Sequence, residues 1–255
     1  MPVNRNIALF VWLLATPFTL HAQQLIPMPP PHPERLAQLT IDVWSDVVCP
    51  FCYIGKRELD NALARFPHRD EVRVVWRSFE LDPSAPDRDP LDMYDMLARK
   101  YGRTREQAKD MVKSVVDRAA TLGLKYNMDI AVVGSSFHAH RLLQFAKTKG
   151  LGDAAKERLF KAYFCEGVHL ADRQELLRLA KEVGLDHAEA KRVIESDAFT
   201  AEVRADEAEA QRLALRGVPF FVLDGRYGIS GAQDSNVFLN ALRKVWEERS
   251  TPAPR

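Results

Sequence analysis

Two cysteines spaced Cys-x-x-Cys stand at the junction of a predicted strand and a predicted helix. Residues 39–48, LTIDVWSDVV, alternate in polarity and are rich in β-branched side chains, which is typical of a strand. Cys49 and Cys52 follow directly, and apolar residues then recur at helical spacing until about Pro67. Residues 71–81, EVRVVWRSFEL, predict a second strand. The three elements form a βαβ unit, so we expect a parallel pair of strands.

A helical block follows this unit. Across residues 87–216 the strand signals disappear, and the sequence becomes a series of amphipathic helices with recognisable starts. Thr104 and Gln107 form a capping-box pattern, and Asp172 followed by Glu175 indicates another helix start. We predict that this block is a helical insertion or subdomain.

The C-terminal part returns to β-structure. Within residues 217–250, two short apolar strands flank Asp224–Gly225, a pair that favours a hairpin turn, and an amphipathic helix follows them. Together with residues 39–86, this ββα segment predicts one α/β fold that is interrupted by the helical block.

The first residues have the composition of an export signal. Residues 1–22 combine a short polar start, an apolar run and a cleavage site after Ala22, so we predict a secretory signal peptide. The apolar run is shorter than a membrane span and contains Pro17, which leaves an uncleaved N-terminal membrane anchor as the alternative. Residues 23–38 are rich in proline and are expected to form an extended linker, with folded structure beginning near Leu39. The predicted location is the periplasm, where disulfides form.

The charge balance bears on the class of partner. The chain of 255 residues carries 36 Lys and Arg against 35 Asp and Glu, a formal net charge of +1. Such a chain has no overall field that attracts nucleic acid or an anionic membrane. Nucleic acid is therefore not an expected partner, whereas the oligomeric state is left open.

The spacing of the two cysteines predicts a different role for each. Cys49 would occupy the N-cap of the helix, with Pro50 at the first helical position, where proline is tolerated. The free N–H groups and the helix dipole at this end predict a lowered pKa for the Cys49 thiol, which makes it the nucleophile. Cys52 lies one turn later on the same face and is expected to resolve a mixed disulfide. Phe51 adds no charge between them, so we predict a weaker oxidant than a Cys-Pro-His-Cys protein.

Two structural interpretations compete with redox function. A zinc knuckle needs about four ligands, and the pair has only the distant Cys165 to add. A structural disulfide within one helical turn closes almost no loop and therefore stabilises little. Cys165 itself lies in an apolar helical stretch, which favours a buried core thiol over a second redox cysteine.

Other candidate residues carry weaker signals. The Val218–Pro219 bond heads a predicted strand and is expected to be trans, unless its loop faces the cysteines, where a cis bond would leave the backbone free to pair with substrate. His138 and His140 lie two apart on a helix and so on different faces, which predicts surface or capping roles and no shared metal site. Asp46 is expected to be a solvated acid at a strand end, with a buried proton acceptor for Cys52 as the alternative.

Four separated stretches, in one order, carry a resemblance to a known family: DVVCPFCYIGKRELDNAL, FHAHRLLQFA, KAYFCEGVHLADRQELLRLAKEVGLD and GVPFFVLDGRYGISGAQ. They resemble the DsbA-like thioredoxin family, in particular its FrnE branch, which is related to 2-hydroxychromene-2-carboxylate isomerases and kappa-class glutathione transferases. The likeness covers about residues 40–247. It implies a thioredoxin-like fold with a large helical insertion, a nucleophile at Cys49, a resolving thiol at Cys52 and a cis-proline loop at Val218–Pro219.

The resemblance and the motif together predict a thiol–disulfide oxidoreductase, a protein disulfide oxidase or isomerase that acts through Cys-Pro-Phe-Cys. Its catalytic residues would be Cys49 and Cys52, and its substrate-binding residues would be Val218, Pro219, Pro50 and Phe51. No metal or cofactor is expected, although glutathione could serve as a redox partner. The expected partners are reduced or misfolded exported proteins and a membrane redox protein.

Two alternatives remain for the function. The isomerase and transferase relatives carry a serine at the nucleophile position and use bound glutathione, so the first alternative is a glutathione-dependent isomerase or transferase for a small apolar substrate. The second is a non-catalytic chaperone that binds peptides in the same cleft. Retention of both Cys49 and Cys52 favours thiol–disulfide exchange over either of them.

Overall fold

The computed structural model describes residues 25–28 and 38–250. Within these residues the chain forms one five-stranded sheet in the order β1-β5-β4-β2-β3. Strand β2 pairs in parallel with β3 and antiparallel with β4, and β5 pairs antiparallel with both β4 and β1. The strands are β1 (Ile26–Pro27), β2 (Leu39–Ser45), β3 (Val72–Ser78), β4 (Phe220–Leu223) and β5 (Tyr227–Ser230).

Helices connect and cover the strands. One helix crosses over between the two parallel strands, a block of helices lies between β3 and β4 in the chain, and a last helix follows β5. In order, they are α1 (Pro50–Leu63), α2 (Met93–Tyr101), α3 (Arg105–Thr121), α4 (Phe137–Thr148), α5 (Gly152–Glu166), α6 (Arg173–Glu182), α7 (His187–Glu195), α8 (Thr200–Arg212) and α9 (Ser235–Ser250). The predicted fold class, an α/β fold with a large helical insertion, is confirmed.

Local sequence signals explain several helix ends. The Thr104 hydroxyl accepts the Gln107 N–H while the Gln107 side chain accepts the Thr104 N–H, which is the predicted capping box of α3. The Asp172 carboxylate accepts backbone N–H groups at the start of α6. These caps satisfy N–H groups that have no partner inside the helix, so the helices begin where the sequence indicated.

The centre of the sheet is the core. Every residue of β2 is buried except the half-buried Asp42, and all of β4 is buried, because helices and loops cover both faces of these strands. The last helix contacts this centre directly: the Phe221 ring of β4 meets the Phe238 ring of α9 edge-on, with centroids 4.6 Å apart.

A buried carboxylate attaches the helical block to the sheet. Asp206 of α8 accepts a hydrogen bond from the backbone N–H of Ser78 at 2.9 Å and from the side-chain amide of Gln144 in α4 at 2.5 Å. Its backbone carbonyl accepts the indole N–H of Trp44 at 2.9 Å. Because Trp44 and Ser78 lie at the ends of β2 and β3, these bonds bring the block against the edge where α1 begins.

The interpretation of residues 23–38 as only a linker is wrong in one respect. Ile26 and Pro27 form the edge strand β1 against Tyr227 and Gly228 of β5, so folded structure does not begin at Leu39. A proline lacks the N–H that an interior strand must donate, and it is tolerated at an edge. The predicted signal peptide, residues 1–22, lies outside the described residues.

Neither strand of the βαβ unit is as long as predicted. Strand β2 stops at Ser45 and β3 at Ser78, because the next residue after β2, Asp46, folds the chain into a turn. Its carboxylate accepts the N–H of Val48 at 3.3 Å and that of Leu81 at 2.7 Å.

In the described part of the chain, no helix has the length and apolarity that a membrane crossing requires.

Candidate functional site

The two cysteines lie at the start of α1, at the end of the sheet's central strand. Cys49 has extended backbone angles at the N-cap, and Pro50 is the first helical residue. Cys52 lies within the first turn, and its N–H donates to the Cys49 carbonyl at 3.0 Å. Both are free thiols in this structure, 4% exposed at Cys49 and 1% at Cys52. Cys49 is therefore the more accessible of two nearly buried sulfurs.

The loop before β4 lies against Cys49. The Cys49 thiol donates to the Val218 carbonyl at a sulfur–oxygen distance of 3.6 Å, and the Val218–Pro219 bond is cis. The ordinary trans bond expected at a strand head does not occur here. The structure thus brings together Cys49, Cys52, Val218 and Pro219, four of the predicted site residues, and leaves Pro50 and Phe51 half-buried beside them.

The predicted lowering of the Cys49 pKa is not what the structure supports. The interaction with the Cys52 thiol, followed by burial, raises the pKa of the Cys49 thiol well above its usual value. Two sulfurs this close disfavour a second negative charge, and the nearly complete burial removes the water that would stabilise it. The surroundings of Cys49 in the reduced protein therefore disfavour its thiolate.

The predictions for Asp46 and His140 as exposed groups are wrong. Both side chains are fully buried beneath the start of α1, and His140 Nε2 lies 3.2 Å from Asp46 Oδ1. Although burial alone would raise the pKa of Asp46, the hydrogen bond and charge of His140 and the Leu81 N–H lower it. Asp46 is thus a structural carboxylate that holds the turn before Cys49. Its low pKa also makes it a poor proton acceptor.

Tyr126, from the helical block, contacts the active helix and was not anticipated. Its hydroxyl donates to the Pro50 carbonyl at 2.8 Å, and its ring stacks on Tyr53 and Phe164 with centroids 5.9 Å and 4.7 Å away. The bond joins residues 76 apart in the chain, so no local pattern could have revealed it. It fixes the first turn of α1 against the inserted block.

A cation from the same block reaches the residue between the cysteines. The guanidinium of Arg118 in α3 lies 5.9 Å from the centre of the Phe51 ring and hydrogen-bonds to the Ala232 carbonyl. Phe51 itself carries no charge, but the fold places a positive group beside its ring. The sequence analysis considered only the uncharged Phe51 and could not include this positive charge, which the fold brings from the helical block.

The remaining candidates lie apart from the cysteine pair. Cys165 is half-buried at the end of α5, packed at the edge of the core, and burial raises its pKa. His138 is half-buried and contacts Arg141, and burial lowers its pKa. In the part of the chain that the structure describes, no cluster of three or more His, Cys, Asp or Glu side chains could hold a metal ion.

Comparison with known proteins identifies the family. The model of the DSBA-like thioredoxin domain matches residues 40–243, which is most of the chain and includes both parts of the sheet and the helical block. The chain belongs to the DSBA-like thioredoxin family. It therefore belongs to a family of disulfide oxidoreductases, and the resemblance drawn from the motifs is confirmed.

Two similar proteins agree with this assignment, and a more distant one shares the fold. A probable DsbA oxidoreductase from Streptomyces coelicolor is 43% identical, with a TM-score of 0.80 over 86% of this chain and 94% of that one. The Bacillus subtilis protein YwbO is 32% identical over 79% of this chain and 94% of its own length. A 2-hydroxychromene-2-carboxylate isomerase, 14% identical, shares the fold with a TM-score of 0.61 over 83% of this chain and 98% of that one.

Close packing between α1 and the loop before β4 yields a testable prediction for this DSBA-like fold. A Cβ on Gly55 would lie 3.0 Å from Pro219 Cγ and 3.1 Å from Phe221 Cζ. Gly55→Val is expected to lower the free energy of unfolding by about 1–3 kcal/mol, because these buried rings have little room to move. Urea unfolding measures the loss. Asn61→Val, at an exposed position of the same helix, is the control, and an equal effect of the two changes would contradict the close packing.

Proposed function

We propose that the protein is a thiol–disulfide oxidoreductase that exchanges disulfides with protein substrates through Cys49 and Cys52. The observation that carries the proposal is the position of Cys49, at the N-terminus of α1 and against the Val218 carbonyl, with Cys52 one turn further on. This arrangement presents one sulfur to a substrate and keeps the second within reach of the first. Membership of a disulfide oxidoreductase family supports the same activity.

The exchange requires only the two sulfurs and the substrate. In the oxidising direction, a substrate thiolate attacks the Cys49 sulfur, the Cys49–Cys52 bond breaks, and Cys52 leaves as a thiolate. A second substrate thiolate then attacks the mixed disulfide, and Cys49 leaves. The substrate loses two electrons and the cysteine pair gains them. In the reducing direction the Cys49 thiolate attacks a substrate disulfide, and Cys52 resolves the intermediate.

We propose that the substrates are reduced or misfolded exported proteins. The proposal rests on residues 1–22, whose composition is that of a secretory signal, and on the oxidising compartment to which such a signal leads. In the oxidising direction a membrane redox protein would restore the disulfide. In the isomerising direction glutathione or another thiol would keep the pair reduced.

The reduction potential of the Cys49–Cys52 pair tests the proposal. Purified protein is equilibrated in glutathione buffers, free thiols are trapped, and the oxidised fraction is determined by mass spectrometry. A potential near or above about −180 mV would place the pair with isomerases and oxidants, and one near about −270 mV would place it with reductants. If no Cys49–Cys52 disulfide forms at any poise, the redox function is refuted and a glutathione-dependent isomerase or a peptide-binding chaperone takes its place.

A further inference from the structure

Lys156 of α5 is a completely buried lysine. Its side chain is 0% exposed, its ammonium donates to the Ser45 carbonyl at 3.1 Å, and it lies 4.8 Å from the centre of the Phe160 ring and 5.5 Å from that of Trp76. Among the described residues, no carboxylate forms a salt bridge with it. An ammonium buried without a charged partner costs several kcal/mol, so its presence requires a physical reason.

Lys156 contacts the chain just before the turn that leads to the cysteine pair. Ser45, whose carbonyl it contacts, ends the central strand, and the chain then turns through Asp46 into Cys49, whose N–H donates to the Asp46 carbonyl at 3.2 Å. The ammonium therefore lies beneath the turn that carries the thiols. Its bonded partner is a neutral carbonyl, so the negative charges that act on it come from groups that it does not contact directly: Asp46 and, when they are ionised, the two thiols.

The charges around Lys156 come from several elements. Burial lowers the pKa of Lys156 to about 8, and the charge of Lys147 in α4 lowers it further. Negative charges of Cys52, Asp46 and Cys49 act in the opposite direction. Strand β3 and α5 contribute the rings of Trp76 and Phe160, which carry no charge. The charge of Lys156 is thus influenced by that of the cysteine pair.

The other buried ionisable group below the thiols is already engaged. Asp46 accepts the N–H groups of Val48 and Leu81 and pairs with His140, so both its oxygens are occupied. Since these contacts lower its pKa, it stays a carboxylate and does not take up a proton from a thiol. Asp46 therefore keeps the same charge in both redox states.

We propose that Lys156 is a positioning residue for the redox step, because its buried ammonium stabilises the negative charge that develops on the cysteine pair. The inference rests on the thiol–disulfide exchange proposed above. When a substrate dithiol reduces the Cys49–Cys52 bond, two electrons enter the pair. One of the two substrate protons stays on a sulfur and the other is released to solvent, and the Lys156 ammonium stabilises the remaining thiolate.

Replacing the lysine by an apolar residue of similar length tests this role. In Lys156→Met the thiolate loses its counter-charge, so the reduced form becomes less stable than the disulfide form. The equilibrium with glutathione is expected to move about tenfold toward the disulfide, which corresponds to a potential about 30 mV more negative. The pH at which thiolate absorbance appears is expected to rise in the same variant.

Lys56→Met is the matched control. Lys56 is also buried and lies 6.0 Å from the centre of the same Trp76 ring, but it forms salt bridges with Asp60, Asp153 and Glu157. Its replacement is expected to lower stability and to leave the glutathione equilibrium at the wild-type value. An equal shift in both variants would overturn the proposal, because it would reflect general damage to the packing around α1.

A second variant separates charge from structure. Lys156→Gln retains an N–H donor for the Ser45 carbonyl and removes the charge, so it decides the question even if Lys156→Met does not fold. A shift toward the disulfide in Lys156→Gln supports the proposal. A wild-type equilibrium and a wild-type thiolate titration in this variant would show that Lys156 only stabilises the fold. Failure of the wild-type protein to form a Cys49–Cys52 disulfide is a different result, since it refutes the redox function itself.

Discussion

Cys52→Ser is expected to accumulate a mixed disulfide between Cys49 and substrate, and Cys49→Ser is expected to form none. In the first variant Cys49 still attacks a disulfide-bonded peptide, but no second thiol is present to release it. In the second variant only Cys52 remains in the pair, and it lies further into the helix and is less exposed than Cys49. Both variants are expected to lose turnover by on the order of a thousandfold or more, as is usual when a covalent nucleophile or its partner is removed.

Mass spectrometry of the trapped complex and the rate of peptide reduction measure these effects. Cys165→Ser is the control, because this half-buried cysteine lies at the end of α5 and outside the pair. It is expected to exchange disulfides at the wild-type rate. A complex joined through Cys52 or Cys165 instead of Cys49 would contradict the assignment of the nucleophile.

His140→Leu is expected to lower the free energy of unfolding by about 3–5 kcal/mol, since it leaves the fully buried Asp46 carboxylate without its partner. Urea unfolding at neutral pH measures the loss. His138→Leu is the control two residues away on the same helix, where the side chain is half-buried and contacts Arg141. Asp46→Asn combined with His140→Leu should lose less than His140→Leu alone, because no buried carboxylate is then left without its partner. Equal losses at His138 and His140 would refute the buried pair.

The effect of His140 should depend on pH. The folded-state pKa of Asp46 lies below its usual value of 3.8, so the unfolded state binds more protons in this range and the contribution of Asp46 to stability increases as pH rises. This contribution is complete above the unfolded pKa and is lost as pH falls through the folded pKa. Without His140, burial raises the pKa of Asp46 and reverses the sign. The difference in stability between wild type and His140→Leu should therefore widen as the pH rises through the unfolded-state value of 3.8, as acid and urea titrations can measure.

Patterns within a few residues of one another were sufficient to predict the architecture. The βαβ unit around Cys49 and Cys52, the helical block and the C-terminal hairpin followed from periodicity, and the capping residues Thr104 and Asp172 begin the helices that they predict. Such features depend on backbone N–H groups and side chains that lie within about one turn of each other. They survive in the folded protein because tertiary contacts do not oppose them.

Burial is where the predictions from sequence were wrong. Asp46 and His140 are polar and lie near element ends, so exposure was the natural expectation for each. The fold instead places them together across 94 residues of chain, and each becomes the partner that makes burial of the other tolerable. The direction of the Cys49 pKa changed for a related reason, since desolvation and the Cys52 sulfur outweigh the helix terminus.

The sequence by itself determined which residues form the helices and strands, where the cysteine pair begins α1, and to which family the chain belongs. Only the tertiary structure decided what surrounds that pair: the Val218 carbonyl, 169 residues from Cys49, and the Lys156 ammonium, 111 residues from its partner Ser45. The physical reason is the distance along the chain over which the interactions act. Helix and strand patterns record interactions between neighbours in the chain, whereas the charge, hydration and contacts of a buried sulfur depend on whichever distant groups the packed core brings beside it.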